Sequence, residues 1–157
     1  MSSDMVPRLR ETENRTEASW LRVAELCERL TGTRSKLAKR AAMAEYLRPL
    51  DQRVAGLAAQ YLTGAVFAES NERKVQVGSQ QVVRALKAVT QMSESQFHAA
   101  YRRYGDLGAA AVELMSAADR SSKNLGVEEI SGRLNSLAAT RTVAEKSSQL
   151  ADVLCST

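Results

Sequence analysis

Between Tyr101 and Val112 the chain reads Tyr-Arg-Arg-Tyr-Gly-Asp-Leu-Gly-Ala-Ala-Ala-Val, a run that leaves little choice of backbone. Phe97, Ala100, Tyr101 and Tyr104 share a face of the helix that finishes here. Gly105 suits the left-handed conformation that closes a helix, because it has no Cβ to crowd the next carbonyl. Asp106 carries a short carboxylate able to accept from the free N–H groups of a following helix. Leu107, Ala111, Leu114 and Met115 then recur at helical spacing along one apolar face. Two helices joined by so short a link must meet at a fixed angle.

The rest of the chain reads the same way. With 157 residues, only two prolines and eight glycines, it is expected to be all-α, a single compact multi-helix domain of about eight helices. Residues 1–15 are polar and aperiodic, a flexible N-terminal tail, and residues 16–157 form the helical domain. Thr16 caps a first helix with Trp20, Val23, Ala24, Cys27 and Leu30 on its inner face, which makes Cys27 a core residue. A second helix turns Leu37, Ala41, Ala44 and Leu47 inward and stops at Pro49. Asp51 caps a third, carrying Val54, Leu57, Ala58, Tyr61 and Leu62 and ending at Gly64. Residues 65–77 read as an irregular connection. Gly78 and Ser79 open a fourth helix with Val82, Val83, Leu86 and Val89, and Ser93 with Gln96 forms a capping box for the fifth. After the corner the sixth helix fades by Ala118, and 119–126 is a polar linker. The seventh carries Val127, Ile130, Leu134 and Leu137. The eighth starts at Thr142, with Glu145 as capping partner, and carries Val143, Leu150, Val153 and Leu154. A weak internal helix–turn–helix repeat relates Arg29 to Leu47 with Arg133 to Leu154.

No apolar run approaches the length of a membrane span, and no secretory leader is visible at the start, so a cytoplasmic protein is expected. Cys27 and Cys155 stand alone, without a CxxC, which suits a reducing compartment and no metal site. His98 has no second ligand at metal spacing and reads as structural. There is no paired-carboxylate, His-cluster or Gly-rich phosphate motif, so neither a cofactor nor catalysis is expected. The net charge of +4 conceals a pattern. Residues 29–53 hold seven basic and two acidic side chains, and residues 73–103 hold six and one. Two basic blocks on a weakly acidic background are either solvated helix faces or a phosphate-binding surface.

A set of short matches follows one order along residues 24–154. They are Leu26-Cys27-Glu28-Arg29-Leu30 with Ser35-Lys36-Leu37-Ala38-Lys39, then Tyr61-Leu62-Thr63-Gly64. Next come Val77-Gly78-Ser79 with Val83-Arg84-Ala85-Leu86, then Gly105-Asp106-Leu107-Gly108, and last Leu134-Asn135-Ser136-Leu137-Ala138 with Lys146. On these the chain resembles the N-terminal, all-helical DNA-binding domain of ATP-dependent DNA ligases. The resemblance implies binding to duplex or nicked DNA through phosphates of both strands, in repair, replication or recombination, while other domains do the chemistry. Two departures stand out. Ala138-Ala139-Thr140-Arg141-Thr142 replaces the family's Gly-x-Gly-Ser turn, and the sequence stops near Leu154, where the family's domain continues. No Lys-x-Asp-Gly, the family's adenylate-accepting motif, occurs here.

Free N–H groups and the positive end of the macrodipole favour phosphate at helix starts. Three such starts carry small residues or cations, and they define the candidate DNA-binding residues. The first is Thr33, Arg34, Ser35 and Lys36, with Lys39 and Arg40 following. The second is Gly78, Ser79 and Gln80, with Arg84 and Lys87. The third is Thr140, Arg141 and Thr142, with Lys146. The eighth helix, short of the family's next helices, is expected to be mobile or covered, by a homodimer contact or by a separate ligase catalytic polypeptide. A helical protein-interaction module without DNA binding is the alternative reading.

Overall fold

The structure, a computed structural model, describes residues 18–117 and 124–156. Among these are eight α-helices and no strand: α1 (Trp20–Thr31), α2 (Lys36–Leu47), α3 (Gln52–Leu62), α4 (Ser79–Thr90), α5 (Glu94–Tyr104), α6 (Leu107–Ala117), α7 (Val127–Ala139) and α8 (Val143–Leu154). The fold is all-α, as the composition implies. It comprises two compact units, residues 18–74 with 124–134 and residues 75–117 with 135–156, so the boundary falls inside α7. The tail at 1–15, the Thr16 cap, linker residues 118–123 and Thr157 lie outside the described residues.

Helix starts follow local chemistry. Asp51 accepts from the N–H groups of Arg53 and Val54 at 2.9 and 3.0 Å, so α3 begins where its cap dictates. Gln96 Oε1 accepts from Ser93 N–H at 2.9 Å while Ser93 Oγ accepts from Gln96 N–H at 3.3 Å, completing the capping box of α5. Gly105 stands at φ +64, left-handed, and Asp106 Oδ1 accepts from Ala109 N–H at 2.8 Å. The corner is therefore built as its residues demand. For α1 the cap is Ser19, three residues later than expected; its hydroxyl accepts from Arg22 N–H at 3.4 Å.

In the first unit α1, α2 and α3 pack mutually around Val23, Leu26, Ala42, Tyr46, Leu50, Val54, Ala58 and Val127. Trp20 meets Tyr61 edge to face at 5.3 Å, fastening α1 to α3. Leu125 and Val127 are buried, Leu125 O accepts from Trp20 N–H at 2.6 Å, and Gly126 bridges to Ser19. Residues 125–126 thus join the core of this unit, against the expectation of a polar linker.

Two inner faces differ from the expected ones. In α1 Leu26 is buried, while Ala24 and Cys27 are exposed. A leucine removes far more apolar area from water than an alanine or a cysteine does, so the helix turns toward it. In α2 Ala42 and Tyr46 are buried, Leu47 is half-buried, and Ala41, Ala44 and Leu37 face solvent. An alanine-rich helix offers several weak stripes, and the one bearing the tyrosine buries most area.

In the second unit the core is Leu86, Phe97, Ala100, Ala110 and Leu114, with Val82, Val83, Met92, Leu107, Ala111, Met115 and Leu154 against it. Here α8 packs along α4, and α5 along α6. Leu154, expected on an uncovered stripe, packs against this core; Leu150 and Val153 are half-buried and Val143 is exposed.

Candidate nucleic-acid interface

The three helix starts differ in what surrounds them. At α2, Thr33 Oγ1 accepts from Ser35 N–H at 3.2 Å, and Ser35 Oγ accepts from Ala38 N–H at 3.2 Å. These bonds hold the turn and leave the N–H groups of Lys36 and Leu37 at the mouth of the helix. No acidic residue lies in the first turn. Arg34, Lys36 and Arg40 are exposed, Lys39 is half-buried, and Leu37, 70% exposed, stands among them. Glu45, in the last turn of the same helix, is engaged by Arg29 at 2.8 Å, whose hydrogen bond holds its carboxyl below the ordinary value.

The start of α4 is held by Gln81, whose Oε1 accepts from Gly78 N–H at 2.9 Å. Its first turn is also free of acidic residues. Ser79, Gln80 and Arg84 are exposed, and Lys87 is half-buried one turn further on. Space is open around Gly78, whose own N–H is taken by Gln81.

The α7–α8 turn is different. Thr140 Oγ1 donates to Ser136 O at 3.0 Å and lies 3.2 Å from Gln149 Oε1. Thr142 Oγ1 accepts from Glu145 N–H at 3.4 Å and donates to Glu145 Oε2 at 2.6 Å. Both hydroxyls are engaged, and a carboxylate occupies the helix start that phosphate would need. Arg141 is exposed. Lys146 is buried, 6% exposed, and its ammonium donates to Val75 O at 2.7 Å. That bond ties the first turn of α8 to the segment entering α4, a structural task in place of an outward charge. Its counterpart in the repeat, Lys39, also lies one turn into its helix but is only half-buried.

Ser79, Gln80, Arg84 and Lys87 also line an open cleft of about 560 Å3 in the second unit. Glu94, Phe97, His98, Tyr101 and Leu107 line it as well. The Phe97 and Tyr101 rings lie nearly parallel, 7° apart with centroids 6.3 Å apart. The Lys87 ammonium sits 5.2 Å from the Phe97 centroid and bonds to Glu94, whose other oxygen is 3.0 Å from His98 Nε2. The Lys87 hydrogen bond holds the Glu94 carboxyl below its ordinary value. Nothing in the residue pattern pairs α5 with the α4 cations. The available signal was Phe97 and Tyr101 one turn apart, the i, i+4 spacing of neighbours on a helix surface. Among the described residues no three acidic, histidine or cysteine side chains are placed to share a metal ion, and no helix is long and apolar enough to cross a membrane.

An all-helical chain with basic helix starts of this kind is matched by a family model described as DNA ligase N terminus, over residues 19–157. The chain belongs to that family. It is 31% identical over 132 residues to a probable DNA ligase of Koribacter versatilis, covering 84% of this chain and 23% of that protein. It is 29% identical over 144 residues to a DNA ligase of Methanothermobacter thermautotrophicus, covering 88% and 26%. A DNA ligase of Archaeoglobus fulgidus is 32% identical over 111 residues, 70% of this chain and 20% of that protein. The chain thus spans about a quarter of the length of the relatives it matches.

Proposed function

We propose that this chain is a duplex DNA-binding module of an ATP-dependent DNA ligase. It grips intact or nicked DNA through its phosphates, without reading sequence, in DNA repair, replication or recombination in the cytoplasm. What supports the reading is family membership together with two acid-free helix starts, α2 with exposed Arg34, Lys36 and Arg40 and α4 with exposed Arg84. Arg34, Lys36, Lys39 and Arg40 serve the first, with Thr33 and Ser35 shaping its turn. Ser79, Gln80, Arg84 and Lys87 serve the second, with Gly78 leaving room for a phosphate. Arg141 is an outlying cation, while Thr140, Thr142 and Lys146 hold their turn in shape. Contacts of this kind set position and orientation and carry no base code.

Adenylate transfer and nick sealing are assigned to a nucleotidyltransferase part or a separate ligase catalytic polypeptide. Incubation of the chain with labelled ATP is expected to leave it unlabelled on a denaturing gel. A labelled band at its mass would overturn that division of labour.

The binding itself is tested by salt. Each neutralised phosphate contributes a slope of about −0.9 in log K against log salt. With roughly four to six contacts, affinity for duplex should fall about a hundredfold to a thousandfold over a fourfold rise in salt. Reversing Arg34 and Lys36 to glutamate should weaken binding to all duplex sequences alike. A salt-insensitive affinity would instead favour the protein-interaction reading, for which the exposed Leu21, Leu37, Val112 and Val143 are the available surface.

A further inference from the structure

The cleft in the second unit is more than a wall for phosphate. Tyr101 and Phe97 are part of its lining, and a duplex backbone has no use for an aromatic surface. The Tyr101 ring is 43% exposed, whereas Phe97, nearly parallel to it, is 5% exposed and part of the core. A buried ring behind an exposed one fixes the orientation of the exposed ring at little entropic cost. Arg84 and Lys87 line the same cleft. Arg84 makes no ion pair among the described residues; Lys87 is shared between Glu94 and the Phe97 face. The volume of about 560 Å3 lies within the usual range for small-molecule sites, roughly 300–1,000 Å3. Glu94 is the one acidic group lining the cleft, and its charge is already spent on Lys87 and His98.

An aromatic platform beside cations is the arrangement that holds unpaired nucleotides: every base has a π-face to stack, and the cations meet the phosphate. A base inside a duplex cannot stack on such a ring without leaving its own stack. We propose that this cleft receives an unpaired nucleotide of a DNA strand, stacked on Tyr101 with its phosphate toward Arg84 and Lys87. The proposal rests on the DNA-binding reading above and adds a second substrate form to it, a strand that is frayed or displaced near a break. Stacking on Tyr101 is open to any base, since every base has a π-face.

The test uses the full chain with a blunt duplex, the same duplex bearing a single-stranded thymidine tail, and free oligothymidylate. Wild type is expected to prefer the tailed duplex over the blunt one. Tyr101→Ala should weaken tailed-duplex binding by roughly fivefold or more and leave blunt-duplex binding unchanged, and Tyr101→Phe should restore the preference. Tyr101→Trp keeps a stacking ring and should show fluorescence quenching on addition of oligothymidylate. Blunt and tailed duplexes bound equally by wild type would overturn this proposal alone. So would equal losses on both in Tyr101→Ala, which would place the ring against duplex. Failure to bind any DNA would overturn it together with the DNA-binding reading.

Discussion

Gly105 and Gln91 occupy the same left-handed region, at φ +64 and +54, and both close helices. Only one is a glycine. A residue with a Cβ pays roughly 1–2 kcal/mol there, so Gly105→Ala should destabilise by about that amount. For a chain of this size a loss of 1 kcal/mol lowers Tm by about 2–4 °C. Gln91→Gly should raise Tm by a similar step, since it removes the same strain. Calorimetry on the two variants checks both signs, and a fall in both would mean that the Gln91 side chain has a contact worth more than its strain. Glu94 is a residue of another kind. On the proposed DNA-binding reading it competes with phosphate for Lys87, so Glu94→Gln should tighten duplex binding and steepen the salt slope by up to about 0.9. Its carboxyl lies below the ordinary 4.5 chiefly because Lys87 hydrogen-bonds to it. The depressed value means that its small contribution to stability is complete above about pH 4.5 and disappears as pH falls through the lowered value. Glu94→Gln should therefore flatten that acid limb of the stability curve.

Among the helices, α8 carries the sharpest contrast. Its first turn holds an exposed Arg141 just outside and a buried Lys146 within. Charge alone would rank the two equally for DNA. Burial separates them: the Lys146 stem lies in the interior and its ammonium is committed to Val75 O. Lys146→Met keeps the stem and deletes the donor, and should cost roughly 1–3 kcal/mol by orphaning a half-buried carbonyl. Arg141→Ala should leave stability within about 0.5 kcal/mol of wild type, as surface changes do, and lower only duplex affinity. The measurement is a paired melt and salt titration. An unchanged Tm with weakened DNA binding in Lys146→Met would return that lysine to the phosphate surface.

At the scale of the molecule, each compact unit carries its own apolar cluster and most of one basic block. Leu86, wholly buried at the centre of the second cluster, is the natural probe. Leu86→Ala should cost about 2–5 kcal/mol. Hydrogen exchange should quicken in α4, α5, α6 and α8 more than in α1 to α3, because contiguous cooperative units open separately. Charge reversal at Arg34 and Lys36 in one unit, and at Arg84 in the other, should add in log K, as substitutions without shared partners do. A sub-additive pair would mean that the two blocks do not engage DNA at the same time.

The caps of α3, α5 and α8, the corner and the loose connection at 65–77 were legible in the residues because each is settled within about four positions, while the cap of α1 fell three residues later than expected. Asp51, the Ser93–Gln96 pair, Gly105 and Asp106 each satisfy backbone groups of their own turn, and no distant neighbour need be known. The helical class and the two basic blocks are likewise properties of composition and order. The tertiary structure alone decided which stripe of α1 and α2 turns inward, that Cys27 faces solvent, that Lys146 is buried, and that Phe97 and Tyr101 meet the α4 cations in one cleft. Each of these depends on area buried against, or a hydrogen bond to, a residue far along the chain. For Lys146 that partner is Val75, 71 positions away, and no helical period carries information across that distance.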